Sequence, residues 1–122
     1  VSPRSHIQLD MLKMNRMHYD TNTNLLTCEP GCVWSDVIYY LNQFGKSPRT
    51  MQSYSSFSVG GTVSVNAHGI TTDFCFAESV VEFKVVTVSA AKQIETVVVS
   101  RTSNRELFSL CLGGYGLFGV IV

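Results

Sequence analysis

The spacing of apolar positions changes character along this chain, and each change marks an element. The stretches HIQLDMLKMNRMHYD (6–20) and LLTCE (25–29) have no helical period and predict a meander of short strands. TNTN (21–24) supplies the Asn and Thr turn chemistry between them, and Pro30-Gly31 stops the second strand. In VWSDVIYYLNQFG the residues Val33, Val37, Ile38, Tyr40, Leu41 and Phe44 recur three and four apart, which predicts a helix with Gly45 as its C-terminal cap. KSPRTMQSYSSF (46–57) is polar and irregular, a loop. The β-branched runs SVVEFKVVTVS and QIETVVVS, joined by AAK, predict a hairpin. Ser103 or Asn104 then caps a helix with Glu106 in its first turn and Leu107, Phe108 and residues 110–112 on its buried side; the closing VIV reads as strand. The order β-β-α-loop-β-β-α-β is that of an α+β fold.

Two stretches fit none of these patterns. SVGGTVSVNAHGI (58–70) carries no charge and a density of small side chains that suits neither a solvated loop nor a packed strand; it lets something approach the backbone closely. In CLGGYGLFGV (111–120), residues 114–119 match G-x-G-x-x-G. A dinucleotide fingerprint needs a strand before those glycines, a helix opening after them, and an acidic residue about 20 positions on. Here a helix precedes and a β-branched run follows, so the match predicts no nicotinamide site.

Length and composition bound the rest. The chain has 122 residues, 45% of them hydrophobic, enough for one globular core. Nine basic and nine acidic side chains cancel, and no basic run exceeds the isolated Arg101 and Arg105, which argues against nucleic acid or an anionic membrane as partner. No stretch reaches the roughly 18 consecutive apolar residues of a membrane span, and VSPRSHIQLD lacks a signal-peptide pattern. A first residue of Val and a final VIV predict a piece of a longer polypeptide. Cys28, Cys32, Cys75 and Cys111 are too few and too scattered for a disulfide scaffold, and His6, His18 and His68 show no paired ligand spacing; no metal is expected, and the cysteines read as buried thiols.

SVGGTVSVNAHG (58–69), followed some way on by NRELFSLCLGGYGLFGVI (104–121) and preceded by the PGCVWSDVIYYLNQFG helix (30–45), resembles the FAD-binding domain of the vanillyl-alcohol oxidase / p-cresol methylhydroxylase superfamily. The sugar-oxidising members with HG after the small-residue stretch are the most similar: aldonolactone and alditol oxidases and decaprenylphosphoryl-ribose oxidase. The resemblance implies a PCMH-type FAD-binding domain fragment over residues 1–122, with FAD as cofactor and the rest of the polypeptide, or a companion chain, completing the site. It implies that Gly60 and Gly61 bring backbone N–H groups to the FAD pyrophosphate. Ser58, Val59, Thr62, Ser64, Val65 and Asn66 would line the cofactor, with His68 and Gly69 nearest the isoalloxazine. Gly114 and Gly119, with Gly113 and Gly116, would shape a turn presenting the backbone of Val120 and Ile121 to the adenine. The family's Gly-rich phosphate loop should lie just upstream of a strand around residues 6–9. It is absent from this sequence, as are the substrate domain and the usual catalytic side chains.

Single residues carry competing readings. His68 can contact the flavin, carry it covalently, or hold a tight turn; Asn66 is a turn former or a cofactor neighbour. Tyr54 and Tyr115 read as packing pieces, Asp36 as a helix-dipole partner, Arg101 as a solvated or capping side chain. The implied function is the flavin-binding portion of an oxidoreductase taking hydride from a C–H beside a hydroxyl of a sugar, sugar lactone, polyol or other alcohol. The alternative is a non-catalytic interaction module that keeps the fold without FAD.

Overall fold

The computed structural model describes residues 7–70 and 74–122. The N-terminal hairpin pairs β1 (Met17–Asp20) with β2 (Leu25–Cys28), antiparallel, His18 opposite Thr27. Its turn is built by Asp20: one carboxylate oxygen accepts from the Asn22 amide, the other from the Thr23 hydroxyl, and Asn24 closes the loop at φ 60°. The strand expected around residues 6–9 is not formed: residues 7–10 have no regular structure, and His6 lies outside the described residues.

Helix α1 (Trp34–Asn42) buries Trp34, Val37 and Leu41, the stripe that its spacing demands. Gly45, at φ 65°, ends it as expected: the Lys46 amide reaches back to the Leu41 carbonyl and the Gly45 amide to Asn42. The 58–70 stretch differs from its sequence reading. Residues Val59–Val65 form a helix, α2, that Ser58 caps, its hydroxyl oxygen accepting from the Gly61 amide at 3.2 Å. A helix of Val, Gly, Gly, Thr, Val, Ser and Val has poor intrinsic propensity, so tertiary contacts hold it.

After a 3-10 turn at Phe76–Ser79, β3 (Glu82–Val88) and β4 (Ile94–Ser100) form the expected hairpin, with Phe83 opposite Val99 and Val85 opposite Val97 on the inward face. Helix α3 (Arg105–Cys111) packs Phe108 and Cys111 onto that face, while Leu110, expected inside, is exposed. Asn104 precedes α3 but caps nothing with its side chain, which donates to the Val98 carbonyl from a left-handed backbone. β5 (Val120–Ile121) pairs antiparallel with β3, giving the order β4-β3-β5. A strand after Gly119 removes the nicotinamide fingerprint, which requires a helix there. The core has two parts: Tyr19, Trp34, Val37, Leu41, Val63 and Phe76 around α1, and Val85, Val99, Phe108 and Cys111 under α3, with Val80, Phe83 and Leu112 packed against both.

Candidate functional site: the α2 stretch and its cavity

The starts of α1 and α2 satisfy one another. Amides at a helix N-terminus have no partner within the helix. The Trp34 and Ser35 amides donate to the Phe57 and Ser55 carbonyls of the loop entering α2, and the Val59 and Gly60 amides donate to the Cys32 and Pro30 carbonyls of the loop entering α1. This reciprocal clamp explains Gly60, where a Cβ would sit 2.7 Å from the Pro30 Cβ. It also engages the Val59 and Gly60 amides within the protein, and Ser58 engages that of Gly61. Gly61 differs from its neighbour: a Cβ there would meet only the Ser58 hydroxyl, at 3.1 Å, so the backbone is bare on its outer side.

Thr62, 1% exposed, is the buried hub beneath α2. Its hydroxyl proton goes to the Ser58 carbonyl, and its oxygen accepts from Trp34 Nε1 at 2.7 Å and from Gln52 Nε2 at 2.9 Å. Those two acceptances, with the proton already spent, fix the Gln52 amide with its nitrogen inward. Gln52 Oε1 is then left buried without a hydrogen-bond partner.

Asn66 ends α2 in the left-handed conformation at φ 45°, and its side-chain oxygen accepts from the Ala77 amide at 2.9 Å. The turn-forming reading of Asn66 is therefore realised. The chain next bridges His68 to Cys75, with Phe76 N donating to Ala67 O at 2.7 Å and Gly69 N to Phe74 O at 3.5 Å. Nδ1 of His68 lies 3.0 Å from the Gly69 carbonyl oxygen. Between the 52–57 loop and residues 65–70 opens a cavity of about 370 Å³, walled by Gln52, Tyr54, Phe57, Val65, His68 and Ile70 among others. It is an open depression, with Tyr54, Phe57, Val65 and Ile70 exposed along its walls and few polar groups among them.

The second glycine stretch docks on the first. The Gly113 amide donates to Val63 O at 3.1 Å and the Tyr115 amide to Ser64 O at 2.9 Å, satisfying carbonyls at the end of α2. Gly113 (φ 77°) and Gly116 (φ 73°) take left-handed backbone. Gly114 and Gly119 leave no room for a side chain: a Cβ would lie 2.0 Å from Leu110 O in the first and 2.4 Å from Val85 Cγ1 in the second. Val120 and Ile121 lie in an edge strand away from the cavity walls, with one side of β5 unpaired among the described residues.

Of the residues singled out by sequence, Val65, Asn66 and His68 line the cavity, Ser58, Gly60 and Thr62 build the helix behind it, and Ser64 receives the glycine turn. Gln52 and Phe57 were missed, because a polar loop gives no periodicity to read; Ile70, at the end of the small-residue stretch, was missed as well. Arg101 is structural: its guanidinium donates to the Val80 and Ala77 carbonyls and stacks over Phe108. Three of the thiols are held protonated: burial, with nearby Cys32, pushes Cys28 up to about 12, and burial also raises Cys32 and Cys111. Among the described residues no group of His, Cys, Asp and Glu could hold a metal ion, and no helix is long and apolar enough to cross a membrane.

Comparison with known proteins identifies this arrangement. The sequence profile of the FAD binding domain family matches residues 2–97, and the chain belongs to that family. An uncharacterised oxidoreductase of the fasciation locus of Rhodococcoides fascians is 34% identical over 121 residues, 95% of this chain and 26% of that protein. Cytokinin dehydrogenase 2 of Arabidopsis thaliana is 34% identical over 93 residues, 75% of this chain and 18% of that protein. The crystal structure of aclacinomycin oxidoreductase superimposes with a TM-score of 0.80 at 25% identity, covering 93% of this chain and 24% of that one. A glycopeptide hexose oxidase, at 23% identity, shares the fold with a TM-score of 0.79 over 93% of this chain and 24% of its own. The fold is a PCMH-type FAD-binding domain of the FAD-linked oxidases, and FAD is the cofactor of the family. The chain spans about a quarter or less of the relatives it matches.

The residues present fit that cofactor. The cavity at the C-terminal end of α2, walled by Val65, Asn66 and His68, leaves space beside that helix, and the buried Gln52 Oε1 at its wall is without a hydrogen-bond partner.

Proposed function

We propose that residues 1–122 act as one domain, the flavin-binding portion of an FAD-dependent oxidoreductase that takes hydride from a C–H beside a hydroxyl. The substrate class is a sugar, sugar lactone, polyol or other alcohol. Bound FAD supplies the two-electron acceptor; the chain positions, excludes water and holds protons. The observation that carries this reading is the cavity at the C-terminal end of the α2 stretch, walled by Val65, Asn66 and His68. Ser58, Val59, Gly60 and Thr62 set the helix, Gly61, Ser64, Val65, Asn66, His68 and Gly69 face or border the flavin, and Gly114 and Gly119 shape the turn that leads Val120 and Ile121 to the adenine. The rest of the same polypeptide, or a companion chain, completes the phosphate and substrate sites. The hexose oxidase that shares the fold supports a sugar as substrate.

A second reading draws on the likeness to cytokinin dehydrogenase: the substrate is a cytokinin instead of an alcohol. The test is an absorption spectrum of the full natural polypeptide, followed by anaerobic addition of candidate donors. Flavin bands near roughly 370 and 450 nm establish the holoprotein, a cofactor-level signature. Bleaching by sugars or polyols supports the alcohol reading, and bleaching by a cytokinin alone supports the second reading. A colourless protein that binds no FAD at high concentration leaves the interaction module, a reading that the engaged Val59 and Gly60 amides favour.

A further inference from the structure

We propose that Tyr54 and Phe57 are flavin-contacting residues, their rings forming the apolar side of a seat for the uncharged isoalloxazine end of FAD in the depression beside α2. The inference rests on the flavin reading above. It adds two residues of the 46–57 loop and the part of the cofactor that they receive.

Exposure carries the first part of the case. Tyr54 is 67% exposed and Phe57 51%, and their rings meet edge to face, with centroids 5.8 Å apart and planes at 65°. Val65 and Ile70, also exposed, border the same depression, so four large apolar side chains stand in water around one concavity. A contiguous patch of that kind marks a binding surface. Rigidity carries the second part. The loop is pinned on both sides of Tyr54: Gln52 Nε2 donates to the Thr62 hydroxyl at 2.9 Å, and the Ser55 and Phe57 carbonyls accept from the Ser35 and Trp34 amides at 2.9 and 3.1 Å. A held backbone presents the two rings, which lowers the ordering cost of binding.

Charge selects the end of the cofactor that enters. Among the described residues no Asp, Glu, Lys or Arg walls the depression. It opens at the C-terminal end of α2, where the helix dipole disfavours anions. The amides there are engaged, Asn66 with the Val63 carbonyl, Ala67 with Thr62 and Gly69 with Phe74. A pyrophosphate finds in these walls neither a cation nor one of those amides free. A flat, uncharged ring system finds apolar surface and aromatic edges, the contacts that such rings prefer. The whole wall lies within the residues 2–97 that match the FAD binding domain family. FAD carries two ring systems, adenine and isoalloxazine; the flavin reading borders the latter with Val65 and His68, which share this wall.

The experiment uses the full natural polypeptide, prepared free of flavin and then loaded with FAD, and its Tyr54→Ala, Phe57→Ala and Tyr54→Phe variants. Hydroxyl-radical footprinting, its dose normalised to an added peptide, reads the labelling of the Tyr54 and Phe57 rings with and without FAD. FAD affinity, the position of the long-wavelength flavin band and the thermal midpoint of the flavin-free protein are measured alongside. The expected result is that both rings are labelled without FAD and protected with it. Each alanine variant weakens FAD binding by about tenfold and shifts the flavin band. Tyr54→Phe keeps the parent's affinity, and the flavin-free midpoints stay within error. Rings labelled equally in both states, or alanine variants that bind FAD as tightly as the parent, overturn the assignment. Rings protected in both states overturn it in favour of another part of the polypeptide as occupant, and weaker binding with an unmoved flavin band overturns it in favour of adenine. An affinity loss matched by a fall in the flavin-free midpoint overturns it in favour of a structural role. In each of these cases the parent still holds FAD and the flavin reading stands. A parent that binds no FAD overturns that reading and this assignment together.

Discussion

Two stretches of this chain are rich in glycine, and the space where each missing side chain would go tells them apart. In the turn at 113–119 the protein itself occupies that space: Leu110 O and the Phe118 ring crowd Gly114, and Val85 and Val86 crowd Gly119. In α2 the two neighbours divide the roles, Gly60 pressed on Pro30 and Gly61 facing nothing but its own capping hydroxyl. The letters G-x-G-x-x-G therefore describe internal packing here, while one glycine of the VGG triplet is left over for something outside. A glycine motif is a statement about close approach, and only the identity of the approaching atoms gives it a function.

That contrast breaks most easily at Gly114. Gly114→Ala is expected to cost about 3 kcal/mol or more, because the Cβ meets a backbone oxygen that cannot move without unwinding α3; urea unfolding measures it. The α2 pair gives a sharper comparison. Gly60→Ala should lower stability by about 1 to 3 kcal/mol against Pro30. Gly61→Ala should stay within about 1 kcal/mol of the parent, since helix propensity offsets the contact with Ser58. In the full polypeptide Gly61→Ala should instead weaken FAD binding by about tenfold, read by flavin fluorescence titration. Equal FAD affinity in parent and variant would show that the open side of Gly61 faces solvent alone. Ser58→Ala removes the cap from the Gly61 amide and should cost about 1 kcal/mol in thermal or urea melts.

Acid should act on the N-terminal hairpin, with the smallest effect. Hydrogen bonding from the Arg16 guanidinium holds the Glu29 carboxyl below its ordinary value, and the Thr23 hydroxyl with the Asn22 amide does the same for Asp20. Both folded-state values are lowered. Their stabilisation is therefore present above the ordinary carboxylate range and is lost as pH falls through the lowered values. Melting midpoints taken down through that range should drop, and Glu29→Gln should flatten the profile; a midpoint that ignores pH would detach this shelf from the stability of the fold.

Much of the fold was legible. Periodicity located α1, a capped apolar face located α3, and β-branched runs located the β3-β4 hairpin and the closing strand. The α2 helix was not legible, since Val-Gly-Gly-Thr-Val-Ser-Val has neither the period nor the propensity of a helix and is held by amides and carbonyls exchanged with residues 30–35. Backbone partners leave no mark in a sequence. Similarly, resemblance pointed to His68 and Asn66, while Gln52 lay hidden in a polar loop whose role depends on the Thr62 hub. The reading of Leu110 failed for a simpler reason: Phe108 and Cys111 fill the space beneath that short helix, Leu107 packs at its edge, and Leu110 projects outward.

The docking of Gly113 and Tyr115 on the Val63 and Ser64 carbonyls has a consequence for biosynthesis. A seven-residue helix is far below the roughly 12 to 15 residues that an isolated helix needs in water, so α2 cannot persist on a partly made chain. Its last carbonyls find their partners only when the segment after α3 has cleared the ribosomal tunnel, which at ordinary elongation rates of about 5 to 20 residues per second comes seconds after α2 itself emerges. Through that interval the nascent cofactor-side stretch is uncommitted, and a ribosome stalled before Gly113 would display it to chaperones and proteases as an unfolded segment.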